Sequence, residues 1–412
     1  MAPVIFISAG EASGEHYGAL LAAELRRQML ATGESAQIFG MGGPQMETAG
    51  VERIVRAEDM AVMGFTEVVL HLPRIYREFH KLKRAIRARR PDVAVLIDFP
   101  EIHFRLAKEL HCLGVPVIYF VSPQLWAWKQ HRVELVRQYV RRMLVIFPFE
   151  EKFYHERGVE AEYVGHPLVE LPAPAITREE YARDRNLDPA KVWIGLLPGS
   201  RLPEIRSNLP EMLRAAILLS QDHYLEQANS ELQFLLPLAP TLTAAQRSTV
   251  QNFVDQRRQN LAIRLVSDAR AALFHSRASV VSSGTATVEA ALAGNPFVVV
   301  YRVSPITYAI AKRAVKVPHV AMANLIAGKR VVPELIQQDF TASNIVQHLK
   351  RLLPDGPARE SMRMELGVIR NALRITPKGE PAETAGAIER VARVVMSTLR
   401  ASRPQTVAVG RS

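Results

Sequence analysis

A single cysteine, Cys112, occurs in 412 residues, which excludes intramolecular disulfides and cysteine-rich zinc sites and fits a reducing compartment. No apolar run approaches the roughly 20 residues needed to cross a bilayer. The opening segment MAPVIFIS has no basic region before its apolar stretch and turns polar at Glu11, so it reads as a first strand rather than a secretion signal. Glycine (22) and proline (26) are too few for a collagen-like or low-complexity chain. Acidic residues are also short in supply: 41 against 52 Lys and Arg leaves a net charge of +11. That excess calls for an anionic partner, whether nucleic acid, anionic lipid or a phosphorylated metabolite. What remains is a cytoplasmic chain of ordinary globular composition, 48% hydrophobic and 23% charged, with material for two or three domains.

What is present is strand then helix, repeated twice over. Val4 to Ser8, Val93 to Ile97, Val117 to Val121 and Met143 to Phe147 are short apolar runs without alternation, as in strands buried on both faces of a parallel sheet. Helical segments between them argue for right-handed crossovers. Pro167, Pro172 and Pro174 mark a linker from Pro167 to Ile176. A second series follows at Val192 to Leu197, Phe234 to Leu236, Ala262 to Val266, Ala278 to Val281 and Phe297 to Tyr301. The fold class is therefore α/β: two Rossmann-like, doubly wound domains, residues 1–170 and 171–381, with a cleft between their strand carboxyl ends. A last helix follows at 382–400, then a polar tail at 401–412 expected to be disordered.

Ionisable and small polar residues cluster where strands end. After the first strand, SAGEASGEHYG places Gly10, Gly14 and Gly18 four apart and adds Glu11, Glu15 and His16; the glycines serve either tight helix–sheet packing or ligand contact. It is neither a Walker loop nor a dinucleotide fingerprint. Asp98 closes an apolar strand and is a general-base candidate, or else caps the turn before Pro100. In the second half, Gly199, Ser200 and Arg201 follow a strand with the turn, donor and guanidinium suited to phosphate. Ser283, Gly284 and Thr285 open a helix whose dipole suits a diphosphate, and Glu289 lies two turns on, placed to accept from ribose hydroxyls; ordinary helix capping is the alternative. Phe65, Val68, Val69, Leu72 and Ile75 form an apolar stripe just before a basic run from Lys81 to Arg90, as in helices that rest on anionic lipid. Core packing with a solvated basic face would give the same pattern. Nucleic acid is disfavoured, because the run lacks interleaved aromatics. Trp126 and Trp128 either seal a core edge or wall a sugar or acyl site.

Taken together, SAGEASGEHYGA, GMGGPQM, MAVMGFTEVV, YFVSPQLWAWKQHR, PFEEKFYHERGVEAEYVGHPL, LLPGSRLPEI, SSGTATVEAALAG, YRVSPITYAIAKR and NLIAGKRVVPELIQ closely resemble the lipid-A-disaccharide synthase family over residues 3 to 395. The resemblance implies the GT-B glycosyltransferase fold and an inverting transferase of lipopolysaccharide synthesis that uses no metal or cofactor. It implies UDP-2,3-diacylglucosamine as donor, 2,3-diacylglucosamine 1-phosphate as acceptor, a β-1,6 linkage, and a peripheral site at the cytoplasmic face of the inner membrane. Asp98 would be the base, with Glu15, Arg201 and Asn324 also in the catalytic set; Gly199, Ser200, Arg201, Ser283, Gly284, Thr285 and Glu289 would hold the UDP. Family members return their last helix to the first domain and can exchange C-terminal parts in a dimer. This chain departs from the family pattern at Glu15, where Asp is usual, and at Glu101, Ile102 and His103, where Asp-Phe-Asn is common; the second change removes an amide near the base. A UDP-N-acetylglucosamine 2-epimerase, another lipid-acceptor transferase and a basic nucleic-acid-binding protein are the rival readings.

Overall fold

A computed structural model describes residues 2–60, 65–222, 231–304, 308, 317–374 and 385–402, the side chains of 65–71 excepted. The chain forms two compact units, one built from the chain up to Glu170 together with the C-terminal helix Ala387–Ser402, the other from Leu171–Arg374.

The first unit holds seven parallel strands: β1 (Val4–Ala9), β2 (Gln37–Gly42), β3 (Glu52–Arg56), β4 (Val93–Ile97), β5 (Val117–Phe120), β6 (Arg142–Val145) and β7 (Ala161–Tyr163). Their order is β3-β2-β1-β4-β5-β6-β7. Every residue of β4 and β5 is buried, which is why those strands read as unbroken apolar runs. The helix Ala12–Ala31 buries Leu21, Ala22, Leu25 and Met29 and packs beside Ala387–Ser402, which buries Val391, Ala392, Val395 and Leu399. The strand order reverses between β1 and β4, whose ends register Ala9 against Ile97. In open α/β sheets this is the switch point, where the following loops diverge and leave room for a ligand.

The second unit repeats the plan with β8 (Val192–Leu197), β9 (Leu232–Pro237), β10 (Ile263–Val266), β11 (Ala278–Ser282), β12 (Phe297–Tyr301) and β13 (Glu334–Ile336), ordered β10-β9-β8-β11-β12-β13. All pairings are parallel. Its switch point lies between β8 and β11, with Leu197 opposite Val281.

Some boundaries differ from the sequence expectation. Val121 does not extend β5 but turns into the left-handed region at φ 63°. Phe147 leaves β6 to precede the helix Pro148–His155. The proline-bearing stretch begins inside the first unit, with Pro167 and Leu168 buried in a short turn held by Leu168 N–H donating to His166 Nδ1 at 3.2 Å. The last helix runs from Ala387, and the expected tail beyond residue 402 lies outside the described residues.

Candidate functional site

The four chemistry-bearing segments fall in pairs at the two switch points. In the first unit, Gly10 to His16 follow β1 and Asp98 follows β4, adjacent strands. Asp98 and Phe99 both take left-handed backbone, with φ of 50° and 51°. The Phe99 ring lies over Gly10, where any Cβ would intrude on the ring, so this glycine is required for a close approach. Gly14 and Gly18 start the helix against Ile97 and Met46, which favours their packing reading over ligand contact.

Glu15 caps another element. Its Oε1 accepts from Gln45 N–H at 2.7 Å, at the N-terminus of the helix Pro44–Thr48, whose own N-cap, Gly43, has no side chain to do so. His16 Nδ1 meets Gln45 Oε1 at 3.0 Å beside it.

At the departure from Glu101 to His103, His103 Nδ1 donates to the Asp98 carbonyl at 2.6 Å, so an imidazole is bonded to the backbone of the base candidate. Glu101 is exposed and accepts a two-pronged bond from Arg132, at 2.9 and 3.1 Å, and one from Lys129 at 3.1 Å. These donors, Arg132 first, hold its carboxyl below the ordinary range. Trp126 is buried and donates to Glu150 Oε1 at 3.0 Å, which fits sealing a core edge. Trp128 is 43% exposed with Lys129 Nζ 4.1 Å above its ring.

In the second unit, Pro198 to Arg201 follow β8 and Ser283 to Thr285 follow β11, again adjacent strands. Gly199 needs its φ of 128°, and Gly284, at 142°, is the N-cap of the helix Thr285–Leu292 with no side-chain capping bond. The first N–H groups of such a helix stay available to an anion, and its dipole favours negative charge there. Arg201 is the N-cap of Leu202–Ser220 and is bound by Glu204 at 3.3 Å, whose other oxygen accepts from Ser200 N–H at 3.1 Å. Burial raises the Glu289 pKa, with Arg270 partly offsetting it.

Asn324 is placed differently from a group lining a cleft. It is 0% exposed, its Nδ2 donates to Val332 O (3.0 Å) and Glu334 Oε1 (2.8 Å), and its Oδ1 accepts from Val331 and Val332 N–H at 2.7 and 2.9 Å. All four amide bonding positions are used internally, so it acts through what it holds. Glu334 in turn accepts from the N–H groups of Val320 and Ala321, and Ser283 Oγ donates to Val320 O at 3.3 Å.

Sequence reasoning did not single out Glu204, Asn208, Glu334, Tyr119 or the inward role of His103. Asn208 donates to Pro198 O (2.9 Å) and to Ser282 Oγ (3.2 Å), joining the loop after β8 to the end of β11 at the switch point. A lone amide in the buried stripe Ile205, Leu209, Met212 was its legible signal. A carboxylate inside VVPEL was the signal for Glu334.

Of the apolar stripe, Phe65, Val68 and Val69 lie outside the residues whose side chains are described; the backbone of 65–89 is one helix. Leu72 is 56% and Tyr76 66% exposed, while Ile75 is half-buried. Much of the adjoining basic run is already paired: Arg74 with Asp59, Lys83 and Arg87 with Glu109, Arg89 with Glu52. Lys81, Arg84 and Arg90 make no ion pair among the described residues. Among the described residues no helix is long and apolar enough to cross a membrane, and no three His, Cys, Asp or Glu side chains group as metal ligands.

Comparison with known proteins fits this arrangement. The sequence model of the family described as lipid-A-disaccharide synthetase matches residues 5–376. Lipid-A-disaccharide synthase of Acidobacterium capsulatum is 57% identical over 97% of each chain, and that of Koribacter versatilis 49% identical over 95% of this chain and 98% of its own. Among solved structures, the calicheamicin glycosyltransferase CalG4 (TM-score 0.58, 18% identity, 98% of this chain and 100% of its own) and an S. aureus MnaA–UDP co-structure (0.60, 12%, 97% of each) share the fold. Near-complete coverage at such identity favours the transferase over the epimerase and nucleic-acid readings. The chain belongs to the lipid-A-disaccharide synthase family, glycosyltransferases of lipid A biosynthesis with the GT-B fold.

Proposed function

We propose that the chain transfers a 2,3-diacylglucosaminyl group from its UDP derivative to the 6-hydroxyl of 2,3-diacylglucosamine 1-phosphate, with inversion, to give a β-1,6 linkage and UDP. Asp98 takes the hydroxyl proton as the oxygen attacks the anomeric carbon, and the bond from that carbon to the diphosphate oxygen breaks on the opposite side. Arg201 and the N–H groups of Gly284 and Thr285 stabilise the charge that develops on UDP, with Ser283, held by Val300 O and Val320 O, fixing the start of that turn, Gly199 and Ser200 shaping the other loop and Glu289 accepting from the ribose. Glu15 and Asn324 serve as positioning groups, the first through the Pro44–Thr48 helix and the second through Glu334. The observation that carries the reading is the placement of a carboxylate at one switch point and two anion-suited loops at the other. The exposed Leu72 and Tyr76, beside Lys81 and Arg84, support docking on an anionic cytoplasmic membrane surface that holds both acylated substrates.

Incubation with that donor and acceptor is expected to release UDP and disaccharide 1-phosphate in equal amounts, with the new anomeric centre inverted. UDP-sugar isomerisation without transfer would overturn the proposal. Asp98→Asn is expected to keep UDP affinity while losing about 10²–10⁴-fold in turnover, the usual contribution of a general base.

A further inference from the structure

The end of β4 departs from strand geometry at a cost that its neighbours explain. Asp98 and Phe99 are two successive non-glycine residues in the left-handed region, and Val121, following β5, is a third and is β-branched. Each is a costly conformation for a side-chain-bearing residue and persists only where surrounding contacts over-determine it. Asp98 N–H donates to Phe120 O at 3.1 Å, so the three residues adjoin across the β4–β5 pair.

The contacts converge on one atom. The Asp98 carbonyl accepts from Tyr119 Oη at 2.7 Å and from His103 Nδ1 at 2.6 Å. His103 N–H donates to Phe99 O at 3.1 Å, and the Phe99 ring is seated on Gly10. The imidazole's proton can be placed. A carbonyl only accepts, so Nδ1 carries the hydrogen. The ring is fully buried and burial pushes its pKa down to about 4, so Nε2 is bare and accepts from Ser8 Oγ at 2.8 Å. A hydroxyl of β1 thus fixes the tautomer of an imidazole whose other nitrogen holds the end of β4, with β5 supplying the second donor.

We propose that His103 and Tyr119 are positioning residues that hold the Asp98 peptide in its left-handed conformation and so aim its carboxyl. The inference rests on Asp98 being the base. If both donors are removed, relaxation of φ from 50° toward the ordinary helical region turns the Cα–Cβ bond by roughly 110° about the N–Cα axis and carries the carboxylate away from its place. Ser8 acts one step back, through the tautomer.

The test uses the full chain with donor and acceptor, measuring kcat, both KM values, UDP affinity and the thermal midpoint. His103→Leu is expected to lower kcat by about 10–100-fold, as an ångström-scale misplacement does, with donor KM and UDP affinity within about twofold of the parent. His103→Asn puts an amide nitrogen near the place of Nδ1 but cannot reach Ser8. It should recover kcat to within about threefold while remaining thermally weakened, which separates aim from stability. Tyr119→Phe keeps ring and volume and carries the test if His103→Leu does not fold; its kcat should fall by about three- to tenfold. Parental kcat in His103→Leu or in Tyr119→Phe, beside an inactive Asp98→Asn, would overturn the clamp and leave the base in place. Equal loss in His103→Leu and His103→Asn would reduce His103 to packing and overturn it too. Near-parental turnover in Asp98→Asn would remove the base assignment and the clamp with it.

Discussion

At the scale of single residues, the polar groups that matter most are those withdrawn from solvent. Asn324 spends its whole amide on Val331, Val332 and Glu334, and Glu334 braces the segment to which Ser283 is hydrogen-bonded. Asn324→Leu would leave the Val331 and Val332 N–H groups unmet, at about 1–3 kcal/mol each, and would take one donor each from Val332 O and from Glu334 Oε1, which keeps the N–H groups of Val320 and Ala321. We therefore expect the urea midpoint to fall by an amount equivalent to about 2–6 kcal/mol, with UDP affinity falling only as the brace loosens. An unchanged midpoint with a raised substrate KM would instead make Asn324 a direct contact. Asp98 was legible in the sequence because a charge closing an apolar strand is conspicuous. Its clamp was not, because Ser8, His103 and Tyr119 come from three elements and only the sheet order makes them neighbours.

At the scale of elements, most interior strands declared themselves and most edges did not, although the edge strand Ile263–Val266 was legible as an apolar run and the interior strand Gln37–Gly42, with glycine at 40 and 42, was not. The strands Val93–Ile97 and Val192–Leu197 are apolar throughout, so burial on both faces is written in their composition. The edge strand Glu52–Arg56 reads ERIVR and Glu334–Ile336 spans three residues; neither carries an apolar run, because an edge strand needs only one buried face. The helix Pro44–Thr48 was equally hidden, being five residues long and capped by Glu15, about thirty positions earlier. The long helix Phe65–Arg89 has a prediction of its own. Leu72→Ser together with Tyr76→Ser removes exposed apolar surface at the cost of one ring contact, that of Tyr76 with His80. Association with vesicles containing an anionic phospholipid should drop at least about tenfold, given the burial free energy of two such side chains, while UDP affinity stays unchanged. Equal partition of variant and parent would assign this face to another purpose.

At the scale of the whole molecule, buried titratable groups in the first unit set a pH window. His103 and His166 are held neutral by burial, with pKa values pushed down to about 4 and about 3. Below about pH 6.5 the unfolded chain takes up protons that these rings refuse, so stability is lost as pH falls from there. Glu150 is buried with its pKa pushed up to about 8. The unfolded chain ionises it above about 4.5 while the folded chain does not, so this group removes stability as pH rises toward 8. Urea midpoints should therefore decline on the acid side of about pH 6, and His103→Asn should flatten that limb by about one proton, or about 1.4 kcal/mol per pH unit. An acid limb of unchanged slope in that variant would mean that His103 titrates normally in the folded chain. The connectivity of the two units bears on synthesis as well. Because Ala387–Ser402 completes the first unit against Ala12–Ala31, residues 171–374 emerge from the ribosome as a finished sequence while the sheet begun at Val4 still lacks its last helix. The half of the protein that starts first finishes last, and until then it presents an uncovered apolar face to whatever chaperone attends the nascent chain.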